Sequence, residues 1–146
     1  MSFHLQDPND QSGSAFQFYG LRHDWSDANA SWDNYDAGAT WGTPGARNTT
    51  NDRYATILAT TPAGGTPPSW ISTTLNGDGI ARLQRWIDGV DPDYSFAIQD
   101  YADTMGDGFR LDSFDSANPP RLAVQYCPPS ATQRVMYPPL VAAPGD

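Results

Sequence analysis

Residues 25–41 read WSDANASWDNYDAGATW, and the fold has to accommodate them before anything else. Three of the five tryptophans of the chain stand here, separated by small and polar residues that repeat with neither a helical nor a strand period. Each indole brings a large apolar surface that needs packing and an N–H that needs a partner. The stretch is therefore a loop that either packs against a core or faces a flat ligand. What holds it must be read from the segments on either side.

Upstream, residues 2–6 (SFHLQ) alternate over the length of a strand and stop at the turn-forming Asp7-Pro8-Asn9-Asp10. Residues 15–21 alternate again, Phe16, Phe18 and Gly20 opposing Gln17, Tyr19 and Leu21. The two runs predict an antiparallel pair joined by a loop. Downstream, residues 42–53 read as a long surface loop rich in Gly, Thr and Asn. Residues 54–60 read as a strand with Ala55, Ile57 and Ala59 on one side, 61–69 as a Pro/Gly loop, and 70–74 as a short strand.

Residues 76–89 (NGDGIARLQRWIDG) give the one convincing helix. Asn76 or Asp78 can cap it, Ile80, Leu83 and Ile87 fall on one face with Trp86 alongside, and Gly89 suits the left-handed end. That apolar stripe predicts a helix lying on the sheet. Residues 94–99, 109–114 and 121–126 then predict three consecutive antiparallel strands. The sum is an all-β fold, a jelly-roll-like antiparallel β-sandwich with one short helix. It occupies residues 1–127, with a proline-rich tail or linker at 128–146.

Composition narrows the function. The net charge is −9 and there is no lysine, which argues against nucleic acid or an anionic membrane surface as partner. No apolar run approaches the ~20 residues that span a bilayer, and the start lacks a signal-peptide pattern. The single cysteine, Cys127, makes neither an internal disulfide nor a metal cluster. Two sequons, at Asn29 and Asn48, carry little weight because such triplets arise by chance.

The order of landmarks is more specific. Trp25 is followed by Trp32-Asp33 in a W-x6-W-[ND] segment, then by Trp41 and Gly45-Ala46, a helix end Trp86-Ile87-Asp88-Gly89, and a closing run Pro120-Arg121-Leu122-Ala123-Val124-Gln125-Tyr126. This succession resembles the DNRLRE domain family, extracellular β-sandwich modules of large surface proteins and polysaccharide-degrading enzymes, some of them classed as carbohydrate-binding modules. The resemblance covers residues 2–126. It implies an extracellular or cell-surface location and makes Trp25 and Trp32 packing landmarks of the fold. Family members carry further strands upstream, so the resemblance implies that those strands are absent here or are replaced by the tail after Tyr126 or by a neighbouring chain, an unpaired sheet edge inviting self-association by strand addition.

For catalysis the chain offers little. His4 and His23 read as ordinary edge or surface histidines, no nucleophile or zinc motif is present, and scattered aspartates pair by chance. The expectation is a module that is not an enzyme. Acid-rich loops suit calcium, with Asp7, Asn9 and Asp10 and then Asp100, Asp103 and Asp107 as candidate ligands; the alternative is that they simply end strands and cap turns. The aromatics point to sugar, whose C–H faces stack on indole and phenol rings while amides, carboxylates and guanidinium bond the hydroxyls. Asn34, Tyr35, Trp41, Arg47 and Tyr101 are the expected polysaccharide-binding residues, and Trp70 and Trp86 are expected in the core. The rival reading is a structural or adhesive surface module assembled through its sheet edges.

Overall fold

In the computed structural model, residues 1–5, 16–61, 68–100, 111–113 and 115–125 are described. They form an all-β fold with antiparallel sheets and one short helix. β1 (Ser2–Leu5) pairs with β6 (Ser69–Ser72). β2 (Phe16–Leu21) lies between β5 (Arg53–Thr61) and β7 (Phe96–Asp100) in a three-stranded sheet. β3 (Asn34–Asp36) and β4 (Ala39–Thr40) make a small separate hairpin.

The expected pairing of the first two strands does not occur, because each finds its partner later in the chain. The pairs are nested instead: β3 with β4 inside β2 with β5 inside β1 with β6, with successive pairs in different sheets. A long hairpin rolled over itself gives this jelly-roll-like winding. The two larger sheets meet through Phe3 of β1 and Phe18 of β2, whose rings stack at 5.5 Å. Leu58 and Ala59 complete the buried cluster, and Ile71, Leu75, Phe96 and Leu111 pack around it.

β5 departs from the expected alternation for a definite reason. Phe18 opposes Ala59 but the next residue, Tyr19, opposes Ile57, so Leu58 is the extra residue of a bulge. Consecutive Leu58 and Ala59 are thereby both buried, whereas Ala55 is exposed. The bulge also turns two carbonyls toward the helix. Asn76 donates its backbone N–H to Leu58 O at 2.9 Å and its amide to Ile57 O at 2.8 Å.

The same Asn76 caps α1 (Gly77–Ile87) by accepting the Gly79 N–H at 2.9 Å, and Gly89 takes the left-handed conformation beyond the helix end. The buried face differs from the expected one. Gly79 is buried and Arg82, Leu83 and Trp86 are half-buried, at the i, i+3, i+4, i+7 spacing of one helix face, while Ile80 and Ile87 are exposed. Close approach at Gly79 sets that rotation, and Trp86 meets Phe96 at 5.0 Å.

Of the three strands expected last, the first is β7, which pairs with β2. Residues 109, 110 and 114 lie outside the described residues, and 121–125 contribute a single bridge, Arg121 to Ser2, in place of a full strand. The expected tail, together with Cys127, lies outside the described residues.

Candidate functional site

The aromatic stretch is held by the hairpin rather than by the core. Gly38 turns left-handed between the strands, and the Asp36 carboxylate accepts the Ala37 N–H at 2.7 Å at the start of the turn. The segment before it folds back onto β3 through Ser26 N–H to Tyr35 O at 2.8 Å. Asn29 fastens the arrangement, its amide donating to Ser26 Oγ and to Asp36 Oδ1. The Ala37 N–H first, and the Asn29 amide second, hold the Asp36 carboxyl below its ordinary range, so it stays charged.

Between these two segments is a cleft of about 370 Å³ lined by Asp24, Trp25, Ser26, Tyr35 and Asp36. Tyr35 forms one wall and is backed by His23 at 4.2 Å and Trp41 at 5.5 Å between ring centroids. His23 donates Nδ1–H to the Asp24 carbonyl at 2.8 Å, and the Trp41 indole N–H is satisfied by Ser31 O at 3.0 Å. Trp25 is 38% exposed.

The neighbouring loop, expected as a long surface loop, is organised by a buried acid. Asp52 is 1% exposed and its carboxylate accepts backbone N–H groups from Gly42, Thr43 and Asn48. Gln99 of β7 ties the same loop to the sheet by donating to Gly45 O and Ala46 O. Gly45, left-handed at φ +76°, lies against the face of Trp32.

Several sequence expectations change here. Trp25 and Trp32, read as packing landmarks, are exposed, Trp32 to 62%, and Trp70 is 39% exposed instead of core. Fixed rings need not be buried rings: Trp32 rests one face on Gly45, and Trp70 is flanked by Arg121 at 4.5 Å and His4 at 5.3 Å. Trp41 packs against Tyr35, with ring centroids 5.5 Å apart. Asn34 stands in the hairpin opposite Thr40, and Arg47 lies 5.7 Å over the Trp32 ring. Tyr101, Asp7, Asn9, Asp10, Asp103 and Asp107 lie outside the described residues, and Asp100 closes β7 opposite Phe16. The reading missed Asp24, Trp25, Ser26 and Asp36 as cleft residues; the Asp-Ala-Gly turn at 36–38 was the available sign of a hairpin that would draw them together.

His4 also differs from a plain edge histidine, with Nδ1 2.7 Å from Asp112 Oδ2. Among the described residues no group of three or more His, Cys, Asp or Glu side chains could hold a metal ion. None of the described helices is long and apolar enough to cross a membrane. Five of the six described arginines lie over aromatic rings, Tyr54 taking both Arg22 at 4.1 Å and Arg82 at 3.9 Å. The sixth, Arg85, pairs with Asp91. Arginine's planar cation suits such stacking better than an ammonium does, and among the described residues these cations pack against rings or pair with Asp91. Comparison of the chain with family models, curated proteins and solved structures finds no match.

Proposed function

We propose that this chain is a non-catalytic, extracellular or cell-surface β-sandwich module that binds polysaccharide, as the resemblance to DNRLRE domains also implies. The observation that carries the proposal is the cleft in which Trp25 and Tyr35 stand with Ser26 and two carboxylates. Rings offer stacking faces, the oxygens bond hydroxyls, and the hairpin holds both without any moving part. Absence of catalysis is supported by the state of the two acids. A glycosidase needs one carboxylic acid kept protonated by its surroundings, whereas Asp24 and Asp36 are exposed and Asp36 is held charged.

Affinity electrophoresis through neutral and charged polysaccharides tests this reading. Retardation by at least one polymer that is lost in Trp25→Ala is expected; unchanged mobility in every gel by a folded protein would remove it. Chelator belongs in the same experiment, because calcium bound only to the native state would raise its melting temperature. The assembly reading is favoured by one observation: among the described residues β5, β6 and β7 each pair on one side only. Sedimentation that shows a monomer at every concentration would dismiss it.

A further inference from the structure

We infer that the Trp25–Tyr35 cleft selects glycans carrying free amino groups, with an ammonium held by Asp24 and Asp36 and the sugar ring on the Trp25 indole. This rests on the polysaccharide reading of the cleft and names the class of sugar. Residues 24–41 hold four aspartates and no arginine or lysine, and none of the five residues lining the cleft is basic. Among the described residues the arginines stack on aromatic rings or pair with Asp91, and none of them lines the cleft. A uronate or sulfate entering the cleft would meet like charge and find no partner. A neutral sugar would leave both carboxylates with only hydroxyl donors. For an ammonium the same lining offers two acids and two aromatic side chains, a combination that favours a cation at a partly wet site. The Ala37 N–H and the Asn29 amide fix the Asp36 carboxylate in place before any ligand arrives, so little ordering is needed on binding.

Calorimetric titration with three oligosaccharides of equal length tests the inference: glucosamine, fully N-acetylated glucosamine, and galacturonate, at a pH where the amine is protonated. The glucosamine oligomer should bind about three- to tenfold tighter than the N-acetylated one, as expected for charge-assisted hydrogen bonds at an exposed site. Added salt should shrink that ratio, and Asp24→Asn and Asp36→Asn should each reduce it toward one. Asp24→Asn is the safer variant for folding, since of the described hydrogen bonds its side chain accepts only the Trp25 N–H. Equal binding of the glucosamine and N-acetylated oligomers, or tighter binding of either competitor, would overturn amine selection while leaving the polysaccharide reading intact. Binding abolished by chelator would also overturn it, because the carboxylates would then be acting through a metal. No binding of any oligomer to folded protein would remove both readings.

Discussion

Gly79 lies so close to Leu58 that a Cβ built on it would overlap the Leu58 carbonyl oxygen. The helix and the bulged strand are therefore in backbone contact, with Asn76 bonding the Ile57 and Leu58 carbonyls. Gly79→Ala must push the helix off the sheet and should cost about 1–3 kcal/mol, the range for overpacking. Gly77→Ala, two residues earlier with nothing within 4 Å, should be neutral or stabilise by up to about 1 kcal/mol. Urea unfolding of the two variants checks the contrast, and equal midpoints would contradict the packing described.

The same contact shows how far the sequence could be read. Most strands and the helix were legible because alternation and capping are local signals, and Asn76 and Gly89 act as their residue types suggest. Which strands pair was not legible, because nesting is settled by closure around Phe3 and Phe18. The helix face was misread because apolar spacing favours Ile80 and Ile87, while a glycine that permits close approach leaves no apolar mark. In the site, Tyr35 was legible as an aromatic in polar company. Trp25 was not, since a tryptophan fixed by its neighbours gives the same sequence signal whether its outer face is covered or open.

Asp52 should behave as the keystone of residues 42–53. Its carboxylate answers three backbone N–H groups, and removing it leaves them without an acceptor in a nearly closed space. Asp52→Ala should cost about 2–4 kcal/mol, from lost bonds to a charged group and unsatisfied donors. Asp52→Asn should also destabilise, because one carboxylate oxygen becomes an N–H₂ donor facing backbone donors. Thermal unfolding of both variants checks this, and a wild-type midpoint for Asp52→Ala would refute it.

Gly45 presents a different constraint. At φ +76°, with a would-be Cβ 2.6 Å from the Trp32 ring, Gly45→Ala must accept backbone strain of about 1–2 kcal/mol and displace the indole as well. The expected result is lower stability with a shift of the tryptophan emission. Comparison with Trp32→Phe in the Gly45→Ala background separates the two effects, since a smaller ring should relieve the clash and leave the backbone strain.

The Arg85–Asp91 pair gives a pH dependence whose direction is fixed. Arg85 donates to Asp91 at 2.6 and 2.8 Å and, chiefly through these bonds, holds the Asp91 carboxyl below its ordinary value of 3.8. Its stabilising contribution is complete above that ordinary value and is lost as pH falls through the lower value of the folded state. Asp91→Asn should therefore lower stability at neutral pH and flatten its fall below about pH 4. Parallel acid unfolding curves for the two proteins would contradict this.

Trp41 separates support from contact. Its ring backs Tyr35 together with His23, while its indole N–H is already taken by Ser31 O, so it has no free polar atom to offer a ligand. If Tyr35 is a wall of the binding cleft, Trp41→Phe should keep most of the ring packing and most of the affinity for polysaccharide. Trp41→Ala should let Tyr35 move and weaken binding, with a partial loss of stability. Trp25→Ala, by contrast, removes an exposed ring and should abolish binding with little change in the unfolding midpoint. Affinity and unfolding measured on all three variants distinguish the roles: equal loss of affinity in Trp41→Phe and Trp25→Ala would mean that Trp41 itself touches the ligand.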